Sequence, residues 1–267
     1  AEKPTLAERF QEIKRTYDRA SSPGRRLTDA ERRQFIGETY RRRAAIGRDC
    51  VALAEANPDA PFAVEALILA VWQVNTNPWP IELVGDDPAR GRALVILAEK
   101  HLGSEKLASV CQRVSYGCHR DYETFLRAAL AKSPNRSVRA AAQMGLGRFL
   151  SNRMGRVELC DEQPAVAKEF AGLYGADYLA ELRRRDRAAA WREVESLFAD
   201  ALVKFGDAKL PRDELVRDIA ERELFDVRNL RPGKTAPEIE GVDQDGKPFK
   251  LSDYRGKVVL LDYWSYV

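Results

Sequence analysis

NLRPGKTAPEIEGVDQDGKPFKLSDYRGKVVLLDYWSYV, residues 229–267, is the stretch whose reading decides the fold. It differs in kind from what precedes it. Pro232-Gly233 is a turn dipeptide that ends the preceding helix. The ring of Pro237 crowds Ala236 and biases it toward extended geometry. Glu238-Ile239-Glu240-Gly241-Val242 alternates polar and apolar, the period of a half-buried strand. Asp245-Gly246 offers the positive-φ pair of a two-residue hairpin, and residues 248–251 form the returning strand. Ser252 and Asp253 can cap a short helical turn, and Gly256 releases the chain from it. Val258, Val259, Leu260 and Leu261 make a continuous apolar run rich in β-branching, which suits a strand covered on both faces. Asp262 stands at its end.

Residues 1–228 read as helices, so the fold class is mostly α. Thr5 with Glu8, and Thr28 with Glu31, have the spacing of capping boxes. They predict helices to about Ala20 and to about Ala56. Residues 61–74 are apolar nearly all round, which predicts a central helix, and 75–87 a proline-rich loop. Pro88 opens a fourth helix that stops at Leu102, with Gly103 in the left-handed position. A helix from Ser104 breaks near Gly117, and 119–132 and 138–154 are the next two. Residues 155–163 read as irregular, 164–174 as a helix, and 178–205 as one long helix stopped by Gly206. The last helix spans 211–227. Short turns between helices over 88–154 suggest stacked helical pairs similar to tetratricopeptide or HEAT arrays, on helix length alone.

Composition narrows the function. The chain has 267 residues, 45% hydrophobic, with a net charge of +3 spread over many groups of both signs. Such a balance does not point to nucleic acid. The triplets Arg41-Arg42-Arg43 and Arg183-Arg184-Arg185 read as solvated helix faces. No apolar run approaches the length of a bilayer span. Ala1-Glu2-Lys3-Pro4 is what signal-peptide cleavage leaves, or equally an arbitrary boundary; an extracytoplasmic (periplasmic) address is expected, with cytoplasmic the alternative. Cys50, Cys111, Cys118 and Cys160 form no C-x-x-C and read as small buried apolar residues, a disulfide or redox role being the other option. His101, Cys111, Cys118 and His119 fit no zinc spacing, so no metal and no cofactor is expected. There is no phosphate loop and no nucleophile elbow.

Gly233-Lys234-x-Ala236-Pro237, Asp245-Gly246-Lys247, residues 251–259 (LSDYRGKVV) and Asp262-Tyr263-Trp264 together resemble the start of a redoxin domain. That is the thioredoxin-fold family of thiol-specific antioxidant peroxiredoxins and membrane-tethered thiol–disulfide oxidoreductases. The resemblance implies a helical domain, 1–228, followed at 229–267 by the leading part of a thioredoxin-like α/β domain: a hairpin and the first core strand. In that family the strand runs into a loop bearing C-x-x-C or one peroxidatic cysteine at a helix N-terminus, where the helix dipole favours a thiolate. The register puts that cysteine one residue past Val267, so this chain is expected to be a truncated, inactive piece of such an enzyme. Asp262 then matches the buried carboxylate that accepts a proton, its pKa raised by burial. Trp264 and Tyr266 flank the redox site. The implied partners are a thiol or disulfide protein, or a peroxide, with a protein partner on the helical part. The alternative is a helical-repeat binding module with a vestigial redoxin tail.

Overall fold

Helices α1 (Leu6–Arg19) and α2 (Asp29–Ala56) each begin at a threonine tied to a glutamate three residues on. Glu8 N donates to Thr5 Oγ1 at 3.2 Å and Thr5 N to Glu8 Oε2 at 2.7 Å. Glu31 N donates to Thr28 Oγ1 at 3.4 Å and Thr28 N to Glu31 Oε2 at 3.0 Å. Both boxes satisfy backbone donors that a first helical turn leaves open. The computed structural model describes residues 5–19, 28–72, 88–211 and 213–262. The predicted loop at 75–87 lies outside them.

Nine more helices follow among the described residues: α3 (Ala63–Trp72), α4 (Pro88–Lys100), α5 (Leu107–Val114), α6 (Arg120–Lys132), α7 (Arg136–Glu162), α8 (Pro164–Tyr174), α9 (Ala176–Arg184), α10 (Arg187–Phe205) and α11 (Val216–Asn229). The chain is mostly helical, as its periodicity predicts. Helices α2, α3, α5 and α7 each touch the next and the next but one: α2 meets α3 and α4, α3 meets α4 and α5, α5 meets α6 and α7, and α7 meets α8 and α9. Helix α7 also packs against α6, α8, α9, α10 and α11. It is 27 residues long, about 40 Å at the usual helical rise.

The apolar faces meet in two cores. The larger runs from Phe10 and Leu67 through Leu97, Phe125 and Phe149 to Phe198 and Ile219. The smaller joins the end of α7 to α8 and α9 through Val157, Cys160, Phe170, Tyr178 and Leu182. Close approach is bought by glycine: a Cβ on Gly145 would lie 2.7 Å from the Cys111 carbonyl oxygen of α5.

Several boundaries differ from the sequence reading. Helix α7 does not stop at Met154. Val157 and Cys160 continue its buried stripe onto the second core, which outweighs the roughly 1 kcal/mol propensity cost of Gly155. The expected long helix over 178–205 is two helices. Arg185 leaves helical geometry, and Asp186 caps α10 by accepting from Ala189 N at 3.0 Å. Helix α11 starts at Val216, after a loop held by the Val216 N to Ala208 O bond of 2.9 Å. Gly103 is not left-handed. The end of α4 is satisfied from the 133–135 turn instead, where Ser133 Oγ donates to Leu102 O and Asn135 Nδ2 to Gly103 O.

Beyond α11 the chain changes character. Strands β1 (Glu240–Val242) and β2 (Pro248–Lys250) pair antiparallel, with Glu240 opposite Lys250 and Val242 opposite Pro248. The turn is a three-residue loop, not the expected two-residue one. Gly246 N donates to Asp243 O at 3.0 Å, Asp243 N to Lys247 O at 2.8 Å, and only Gly246 has positive φ. Asp243 Oδ1 accepts from both Asp245 N and Lys247 N at 2.9 Å. A 3-10 turn at Leu251–Tyr254 follows, with Lys250 N donating to Asp253 Oδ2 at 2.9 Å, and Gly256 at φ 80° ends it. The predicted core strand at 258–261 is corrected: no strand forms there, and Val258 and Leu260 are 103% and 92% exposed. A strand needs a partner ladder, and the small sheet of the described residues offers it none. No residue from 231 to 262 is buried.

Candidate functional site

The sequence places its candidate site at the end of the tail. Asp262 is the last described residue and is exposed, following directly on the uncovered apolar run. The burial expected of it is not provided by the described residues. Trp264 and Tyr266 lie outside them.

The thiols are elsewhere. Cys50 and Cys111 belong to the larger core, Cys118 and Cys160 to the smaller, and all four are free and buried. Burial pushes the Cys50 thiol up to about 12, with Asp49 adding to it. It pushes Cys118 up to about 11 against the opposing pull of Arg156 and Arg153. Burial likewise raises Cys111 and Cys160. All four are thus protonated near neutral pH, and none is an activated nucleophile. His119 is spent as the cap of α6, its Nδ1 accepting from Asp121 N at 3.2 Å. Among the described residues, no group of three His, Cys, Asp or Glu side chains is placed to hold a metal ion.

The structure gathers a polar cluster that sequence reasoning missed. Arg153 of α7 and Glu123 of α6 form an ion pair whose side chains are only 4% and 15% exposed. Arg153 Nη1 also donates to Tyr178 Oη at 3.3 Å, and Tyr178 Oη donates to Cys118 O at 3.1 Å. Arg127 bridges Glu123 at 2.8 Å and Glu193 of α10 at 2.7 Å. Arg185 stands 3.6 Å from Glu123. Burial alone would raise the Glu123 carboxyl, but Arg153 and Arg127 hold it below the usual range. The Tyr178 phenol is pushed up by burial, with Arg153 opposing. A carboxylate held ionised by three arginines is a poor proton carrier and a good clamp. It fastens α6, α7, α9 and α10 together.

No protein-family model, curated protein or solved structure matches this chain.

Two hollows remain. One, of about 1090 Å³, lies between α1 and α2. Leu6, Ile13, Ile46 and Leu53 line it, with Glu12, Arg15 and Asp49 among its charged residues. The other, of about 230 Å³, lies where the tail leaves the helical body, between Glu158, Glu162, Trp191 and Arg231. No helix of the described residues is long and apolar enough to cross a membrane.

Proposed function

We propose that residues 231–262 are the opening elements of a redoxin domain, carried by a helical body, in a thiol–disulfide oxidoreductase or peroxiredoxin-like antioxidant protein. One observation supports this most. A hairpin, a capped 3-10 turn and a left-handed glycine follow in order and lead into an apolar run left open to solvent. Covering a Val or Leu side chain yields about 1.5–3 kcal/mol, so four in a row suit a strand beneath partner elements. In this reading Asp262 is the proton acceptor once covered, and Trp264 and Tyr266 flank the site. None of Cys50, Cys111, Cys118 and Cys160 is the nucleophile, because each is buried in the helical body.

The test is a graft. Residues 231–262 replace the opening hairpin and strand of a redoxin of known activity, and insulin reduction and peroxide consumption are measured. Retained turnover, with Asp262→Asn moving the pH profile of disulfide reduction, supports the reading. A graft that cannot fold while a matched hairpin from another redoxin can would sink it.

A second reading concerns the body alone. Helices α2, α3, α5 and α7, which touch the next and the next but one, suit stacked pairs similar to tetratricopeptide or HEAT arrays, which present binding surfaces. The hollow between α1 and α2, floored by Ile13, Ile46 and Leu53, favours a protein-binding module. Ile13→Lys should abolish partner capture by the full chain if the hollow is the binding surface, and leave it intact if not.

A further inference from the structure

The junction between body and tail holds an interaction that neither reading uses. The guanidinium of Arg231 lies over the indole of Trp191, with its Cζ 4.1 Å from the ring centroid. This is tighter than the 4.7 Å of Arg120 over Tyr178 or the 5.0 Å of Arg153 over Phe149. Both partners are held. Trp191 packs against the larger core, and its Nε1 donates to Glu158 Oε1 at 3.2 Å, which fixes the plane of the ring. Arg231 Nε donates to Val227 O at 2.7 Å, folding the side chain back along the last turn of α11. One turn earlier, Arg228 Nε meets Glu195 of α10 at 2.7 Å.

The surroundings match the group they hold. A guanidinium is planar, weakly hydrated and always charged, so it prefers an aromatic face with carboxylates nearby. The hollow beside Arg231 supplies that face with Glu158 and Glu162 on its wall, whereas Asp161 is already engaged by Arg183 and Arg187. Leu230, the apolar residue at the junction, is more than half exposed and anchors little. From residue 232 to 262 nothing is buried. Arg231, with Pro232 beside it on the same hollow, is where the tail leaves the body.

The geometry points to a guanidinium-binding socket on α7 and α10, built from Trp191 and Glu158, which the chain fills with its own Arg231 as a releasable latch on the tail. The latch does not depend on the redoxin reading; it needs only the body, α11 and Arg231. A guanidinium supplied from outside competes for the same face and frees the tail.

The experiment places nitroxide labels at Ser196→Cys on α10 and Thr235→Cys just past the turn that Lys234 N closes on Arg231 O, both exposed positions, in the full chain. The four native thiols are buried, so labelling falls on the introduced pair. Wild-type Arg231 should give a narrow distance distribution. Arg231→Gln should broaden it, since losing one such stacking interaction shifts the latched-to-free ratio by about tenfold. Arg231→Lys, which keeps the charge without the plane, should fall between. Methylguanidinium added to the wild type should reproduce the Arg231→Gln distribution and leave that variant unchanged. Equal widths for wild type and Arg231→Gln overturn the latch. Broadening in the variant with no response to methylguanidinium overturns the socket as a site open to competing ligand. Trp191→Phe, at which the stacking area falls while the core stays filled, is the independent check and should broaden the distribution like Arg231→Gln.

Discussion

Helix α7 and the tail beyond α11 have similar lengths and opposite fates. More than half of α7 is buried, including Phe149, Leu146 and Met144, and six other helices pack on it. The tail carries Val258, Val259, Leu260 and Leu261, as apolar a run as any in α7, and buries none of them. The difference lies in partners, not in composition. A helix closes its own hydrogen bonds and needs only an apolar neighbour. A strand needs a second backbone as well, and the two-stranded sheet does not supply it to residues 258–261.

This contrast can be broken at several points. The largest effect belongs to the core: Phe149→Ala should cost about 4 kcal/mol in urea unfolding, with hydrogen exchange of the hairpin amides unchanged. If the hairpin loosens together with α7, the two regions are one cooperative unit. Next comes Arg153→Met. It strands a largely buried Glu123 with Arg127 and Arg185 as remaining partners, and should cost about 3 kcal/mol.

The same ion pair has a pH signature. Glu123 is depressed in the fold, so the unfolded chain takes up its proton first as pH falls. Its contribution is complete above the ordinary carboxylate range and is lost as pH drops through the lower folded value. Glu123→Gln should therefore flatten the acid side of the stability curve. Parallel acid curves for wild type and variant between neutral and about pH 3 would contradict this. A smaller effect is expected at a cap: Thr28→Ala removes one side of the box and should cost about 1 kcal/mol. The smallest is in the tail. Leu260→Asp should leave the urea midpoint of the body unchanged, to within roughly 0.5 kcal/mol, while reducing self-association at high concentration. A midpoint shift well above that would mean the tail packs on the body in solution.

What could be read in the sequence follows the range of the physics. Thr5 with Glu8 and Thr28 with Glu31 are three-residue interactions, and their spacing shows them directly. Gly246 and Gly256 stand at positive φ, as turn chemistry requires. Gly155 misled, because a glycine that packs against nothing reads the same as a helix stop. Asp186 was hidden in a run of arginines, although it is the residue that separates α9 from α10. The Glu123–Arg153–Tyr178 cluster has no local signal at all. Its members lie on three helices, and only the packing of α7 brings them together. The strand predicted at 258–261 failed for a related reason: its composition is right, but strand formation is decided elsewhere in the chain.

The reach of α7 has a consequence for how the molecule opens. It walls both cores: Phe149 belongs to the larger and Val157 to the smaller, with unpacked Gly155 between them. Fraying from Glu162 back to that glycine would release α8, with α9 still tied through Tyr178 to Arg153 and Cys118 O, while Phe149 and its neighbours stay closed. The amides of 157–162 should accordingly trade their protons with solvent ahead of those at 140–150, a partial opening on a rigid beam.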